Sequence, residues 1–201
     1  IIESAKTGDA QALYQIGEIY YKIPNHARAM TWYLESGKKN YAIAQNRIGQ
    51  LYHHGEGVAT DFKVAMDWYI KSANQGNSEA MYNIGDLHYN GQGIFVDKQQ
   101  AITWYQKSAE AGLEKGKTAS FTQFFLGYVH VNTLGVSQNT HLALYWYEKA
   151  ADNGYINTVC NISYIYNEGL GVEKDYSWAF EWYMKATQGG DSLAQNSIGW
   201  L

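Results

Sequence analysis

A chain of 201 residues with a formal net charge of −4 and one cysteine excludes several functions before any motif is read. Its mildly acidic balance lacks the clustered basic face that nucleic acid requires. Cys160 alone can form neither an intramolecular disulfide nor a cysteine-based zinc site, while a single proline suits a mostly helical chain.

In chain order, residues 1–8 read as the tail of a helix, because Ser4-Ala5-x-x-Gly8 matches Ser72-Ala73-x-x-Gly76. A helix pattern then begins at Ala12 and continues through Ile16-Gly17-x-Ile19-Tyr20. It returns from Ala44 to Tyr52 and from Ala80 to His88, with weaker copies starting at Thr122 and Thr158. Apolar or small residues at these intervals fall on one helical face. Glycine in a helix costs roughly 1 kcal/mol against alanine. Its return at Gly17, Gly49, Gly85 and Gly127 therefore predicts that a neighbouring helix passes too close for a side chain.

A second pattern follows the first. Gly55-x-Gly57-Val58-x-x-Asp61 leads into Ala65-x-x-Trp68-Tyr69-x-x-Ser72-Ala73-x-x-Gly76. Copies run from Gly91 to Gly112 and from Gly169 to Tyr183. The Trp-Tyr pair occurs at Trp32, Trp68, Trp104, Trp146 and Trp182, with spacings of 36, 36, 42 and 36 residues. Self-similarity at such a period predicts a solenoid of helix pairs. The Gly-x-Gly segments are its positive-φ turns, and Asp61, Asp97 and Asp175 cap the second helices. Gly76, Gly112 and Gly154 end those helices in left-handed caps. The expected units are 9–40, 41–76, 77–112, 113–154 and 155–190, with partial units at 1–8 and 191–201, in a single array over 1–201. The first unit replaces its turn by Ile23-Pro24-Asn25. The fourth carries Thr133 and Asn139 for the usual glycine and aspartate, and six additional residues near Leu113–Thr118, read as a loop. A sixth copy starts at Ala194-x-x-x-Ile198-Gly199, so the chain reads as a fragment of a longer array.

These motifs resemble the Sel-1-like repeat, a relative of the tetratricopeptide repeat, over essentially the whole chain. The resemblance implies an all-α right-handed superhelix (α-solenoid) of antiparallel helix pairs. It also implies non-enzymatic scaffold or adaptor work: assembling ubiquitin-ligase complexes, activating cell-wall synthases or regulating signalling. Two other readings accompany it. One is the regulatory arm of an enzyme whose catalytic domain lies elsewhere. The other is a hydrolase of the β-lactam-binding subgroup, which paired cysteines in each unit mark and a single cysteine disfavours.

No catalytic, metal or cofactor site is expected. His88 and His130 stand at the repeat's tyrosine position and read as its packed substitutes. Cys160 has no histidine at helical spacing. The Gly-x-Gly turns lack the Gly-Lys-(Ser/Thr) of a phosphate loop, and the sequon Asn161-Ile-Ser163 falls in mid-helix. The span from Thr118 to Tyr147 has no Asp, Glu, Lys or Arg, but its polar residues exclude a membrane span and no direct membrane insertion is expected. One cysteine fits a reducing compartment and hence the cytoplasm, with the endoplasmic reticulum and secretion left open.

The face of each first helix that the packing pattern leaves free is expected to line the concave groove and bind a protein or peptide. It carries Asn46, Gln50 and His53, then Tyr82, Asp86 and Tyr89, then Phe124, Tyr128 and Val131, then Cys160, Tyr164 and Asn167. The expected contact set is Asn46, Gln50, Tyr82, Asp86, Tyr89, Phe124, Tyr128 and Tyr164. The third and fourth units are expected to bind most strongly, because they combine aromatic columns, an uncharged span and the insertion.

Overall fold

The computed structural model describes residues 2–112, 117–132, 137–155 and 157–188. Among these residues every regular element is a helix. A short α1 (Ile2–Lys6) precedes five pairs: α2 (Ala10–Lys22) with α3 (His26–Lys38), α4 (Ala42–His54) with α5 (Phe62–Ala73), and α6 (Ser78–Asn90) with α7 (Lys98–Ala111). The last two pairs are α8 (Lys117–Val131) with α9 (Thr140–Asp152), and α10 (Asn157–Glu168) with α11 (Tyr176–Gln188). Below, the pairs are repeats 1 to 5, and the two helices of each are A and B. Packing divides the chain into two compact units, residues 1–111 and 112–201. In the N-terminal unit, α3 against α4 and α5 against α6 join successive pairs; in the C-terminal unit, α9 against α10 does so.

The helix starts follow the expected chemistry. The Asp61 carboxylate accepts from the amides of Lys63 and Val64 at 3.0 Å. Asp97 and Asp175 cap Gln100 and Trp178 at 2.9 Å. Asn139, standing for aspartate, caps Leu142 at 3.0 Å. In the turn of repeat 2, Gly55 and Gly57 have φ of 72° and 74°, a region that L side chains rarely enter. Gly76 and Gly154 take the expected left-handed conformation. In repeat 1 that position belongs to Asn40, with φ 62°, the residue best suited to it after glycine.

Helix A and helix B meet through one recurring contact. A Cβ on Gly85 would lie 2.7 Å from Cε1 of Tyr105, and Gly17, Gly49 and Gly127 stand in the same relation to Tyr33, Tyr69 and Tyr147. All four tyrosines are buried. The close approach expected of the repeated glycine is therefore a tyrosine ring lying flat on bare backbone. Ala65, Tyr69, Ala73, Ile84 and Gly85 are buried as expected. Buried serines add a polar stitch: the hydroxyls of Ser36, Ser72 and Ser108 donate to the carbonyls of Ala10 (2.6 Å), Ala42 (2.7 Å) and Ser78 (2.7 Å).

The loop expected over Leu113–Thr118 needs a correction. Lys117 and Thr118 already belong to α8, because no glycine or proline interrupts the run from Lys117 to Leu126. Residues 113–116, Thr133, and the start of a sixth repeat lie outside the described residues.

Candidate protein-interaction face

The face of helix A that carries the expected contact residues has a different chemistry in each compact unit. In the N-terminal unit it is a network of charges and tyrosines. Glu18 of α2 accepts from the Tyr33 hydroxyl at 2.7 Å and from Nε of Arg47 at 3.0 Å. Arg47, on α4, lies over the Tyr21 ring at 5.6 Å and donates through Nη1 to Gln50 at 2.9 Å. Gln50 in turn donates to Glu79 at 2.8 Å. Burial alone would raise the Glu18 pKa, but donation from Tyr33 and the Arg47 charge outweigh it and hold the carboxyl below its ordinary range. Burial, with the Glu18 charge beside it, pushes Tyr14 up to about 12. Tyr21 donates to Glu56 at 2.8 Å. Both line a pocket of about 210 Å³ with Arg47, Gln50, Leu51 and His54.

Asn46 is the expected contact residue that the structure places elsewhere. It is 1% exposed and accepts from Asn83 at 3.0 Å, because its position on α4 is where α6 of the next repeat packs. Nδ1 of His53 lies 3.2 Å from the Tyr69 hydroxyl, and burial followed by the neighbouring His54 lowers its pKa. Tyr82, Asp86 and Tyr89 of α6 are half-buried. The Tyr82 ring is 5.4 Å from that of Tyr105, and Lys98 lies over Tyr89 at 5.7 Å. Burial, then the Asp86 charge, pushes Tyr82 up to about 12.

In the C-terminal unit the same face is aromatic. Phe124 packs on Tyr155, Tyr147 and Tyr128 with ring centroids at 5.0, 5.8 and 6.4 Å. Phe121 meets Tyr155 at 6.1 Å. Tyr128 is 42% exposed and Tyr164, on α10, is 56% exposed. His130 packs into the core as its tyrosine-like position suggests, with both ring nitrogens buried and no hydrogen-bond partner among the described residues. Cys160 is half-buried. Among the described residues no group of three or more His, Cys, Asp and Glu could hold a metal, and no helix is long and apolar enough to cross a membrane.

The Sel1 repeat family model matches residues 10–41, 42–77, 78–113, 120–155 and 159–191. The chain belongs to the Sel1 repeat family. A Sel1 repeat protein from Oxalobacter formigenes is 33% identical, with a TM-score of 0.80 over 90% of this chain and 72% of that one. A protective antigen present in uropathogenic Escherichia coli strains, which displays the same repeat fold, is 28% identical with a TM-score of 0.78. That match covers 98% of this chain and 42% of the antigen. Among curated proteins, the ERAD-associated E3 ubiquitin-protein ligase component HRD3 of Candida glabrata is 37% identical over 60 residues. Those residues are 30% of this chain and 7% of that relative. Sel1 repeat proteins are generally interaction scaffolds rather than enzymes.

Several residues on this Sel1 face lie outside the expected contact set. Tyr14, Glu18 and Tyr21 hold the same places relative to Ala12 as Tyr82, Asp86 and Tyr89 hold relative to Ala80, so the spacing itself could have found them. Arg47 could not be found that way, since it lies one residue off the free-face column. Tyr155 precedes α10, and only the fold brings it to Phe124.

Proposed function

We propose that this Sel1 array is a non-enzymatic scaffold that holds a segment of another protein on the exposed face of its A helices. The observation that carries the proposal is the aromatic surface of α8 and α10. There Phe121 and Tyr128 are exposed on a stretch with no Asp, Glu, Lys or Arg from Thr118 to Tyr147, and Tyr164 is exposed on α10. Tyrosine supplies large contact area at low entropic cost, and an uncharged surface costs less to desolvate than a charged one. Gln50, Tyr82, Asp86, Tyr89, Phe124, Tyr128 and Tyr164 are the contact residues of this proposal. Burial removes Asn46 from it in favour of a packing role.

The Candida relative is a component of a ubiquitin ligase, a role of the assembling kind proposed here. The test is a photo-cross-linking amino acid placed at Tyr128 on the A face or at Tyr145 on α9, which is similarly exposed. The scaffold reading predicts one discrete cross-linked protein from position 128 and none from 145. Equal cross-linking from both positions overturns it.

A further inference from the structure

Three of the B helices hold an ammonium group against an indole. Lys71, Lys107 and Lys185 lie over the rings of Trp68, Trp104 and Trp182 at 4.2, 4.3 and 4.4 Å, each lysine three residues beyond its tryptophan. Repeat 5 adds a second indole to this pair. Four residues before the tryptophan, repeats 1 to 4 carry Arg28, Val64, Gln100 and Leu142, whereas repeat 5 carries Trp178.

Trp178, Glu181, Trp182 and Lys185 stand at intervals that a helix brings to one face. Together they line a pocket of about 190 Å³ on α11. Trp182 is buried, but Trp178 is 42% exposed and meets the Tyr166 ring of α10 edge to face at 6.4 Å. Three residues beyond Trp178, where the other indoles have their lysine, stands the carboxylate of Glu181. It is exposed, and among the described residues it forms no ion pair. Lys185 is neutralised by Asp152 of α9 at 3.5 Å. Glu181 and Asp152 against Lys185 leave the site with one net negative charge.

We propose that this pocket binds a quaternary ammonium group, seated against the Trp178 indole with Glu181 as its counter-ion. An indole face attracts a cation through its ring quadrupole, and the neighbouring Trp182 already holds the Lys185 ammonium in that way. Trp178 offers an exposed indole with an acid in the lysine's place. A methylated ammonium suits it better than a primary one. Its methyl groups pack on the ring and need no hydrogen bonds, whereas a primary ammonium brings three donors and strong hydration. Among the four lining side chains, Glu181 is the one acceptor. The pocket lies on a B helix, so this inference goes beyond the scaffold reading of the A face.

The test is a titration of protein labelled with 5-fluorotryptophan, followed by ¹⁹F NMR. The probes are choline and 3,3-dimethylbutan-1-ol, its carbon isostere, which keeps the shape and lacks the charge. The Trp178 resonance is the one missing from Trp178→Phe. A saturable shift of Trp178 is expected with choline and none with the alcohol. Trp68 and Trp104, each covered by its lysine, should not respond. Glu181→Gln alters an exposed side chain and should weaken choline binding about threefold. Lys185→Met removes the competing ammonium and should leave binding no weaker. N-acetyl-trimethyllysine amide separates the sources: a response to choline alone assigns a small molecule, and a response to both admits a methylated side chain of a protein. An equal response to the alcohol, unchanged binding in Glu181→Gln, equal shifts at Trp68 and Trp104, or no saturable shift at Trp178 overturns the inference. Cross-linking at position 128 is independent of this titration, so the two proposals fail separately.

Discussion

Gly85→Ala should destabilise the protein, although alanine in place of a mid-helix glycine ordinarily stabilises by about 0.8–1.0 kcal/mol. The new methyl would sit 2.7 and 2.8 Å from Cε1 and Cδ1 of Tyr105 and 3.1 Å from the Ala101 carbonyl oxygen. Real Cβ contacts do not fall below 3.0 Å, so the ring or the helix must move. The ring has little freedom, because Tyr105 is buried. Overpacking of this kind costs roughly 1–3 kcal/mol. Set against the propensity gain, that leaves a net loss of roughly 0–2 kcal/mol. Gly85→Leu, with more to place in the same space, should lose more. Denaturant unfolding of four proteins measures this: wild type, Gly85→Ala, Tyr105→Ala and the double variant. Tyr105→Ala alone should cost several kcal/mol, but with the ring gone Gly85→Ala should change sign and become stabilising. If Gly85→Ala already stabilises the wild-type protein by the full propensity gain, the glycine is not there to admit the ring.

Asp61→Ala should cost about 1 kcal/mol in the same assay, because the carboxylate satisfies the amides of Lys63 and Val64 at the start of α5. Asp61→Asn should lose little, since the side-chain oxygen that accepts is retained. A second prediction concerns His130, whose pKa burial holds below the ordinary value. The unfolded chain takes up a proton near pH 6.5 and the folded one only at lower pH, so His130 makes the protein less stable as pH falls through that window. His130→Phe should therefore shrink the loss of melting temperature between about pH 7.5 and about pH 5.5. An unchanged loss would show that other groups set the acid sensitivity.

The repeat pattern made the fold legible because each copy reports the same packing constraint. A close neighbour at Gly85 could be anticipated from recurrence, though not that it is the Tyr105 ring, and Asp61, Asp97 and Asp175 announced the starts of α5, α7 and α11. The hydroxyl stitches of Ser36, Ser72 and Ser108 were not legible, since serine alternates with alanine in sequence and reads simply as small. The candidate face was partly legible. Counting from the repeat alanine selected Gln50, Tyr82, Asp86, Tyr89, Phe124, Tyr128 and Tyr164, which the fold leaves at least partly exposed. It also selected Asn46, because a residue's place on its own helix does not reveal how the next repeat is staggered against it. The same stagger brings Arg47 of one repeat between Glu18 and Tyr21 of the previous one. No single-repeat pattern contains that information.

Two tyrosines of the C-terminal unit offer the most direct test of the scaffold account. Tyr164 on the A helix α10 and Tyr176 on the B helix α11 are 56% and 58% exposed, so their replacement by alanine removes similar exposed surface at similar cost to the fold. The measurement is the affinity of the protein cross-linked through position 128 for Tyr164→Ala and Tyr176→Ala, each first shown to melt like the wild type. The account predicts that Tyr164→Ala weakens binding by about tenfold or more, the loss of an aromatic anchor, while Tyr176→Ala binds as the wild type does. Equal losses in the two variants, or a loss confined to Tyr176→Ala, would contradict it.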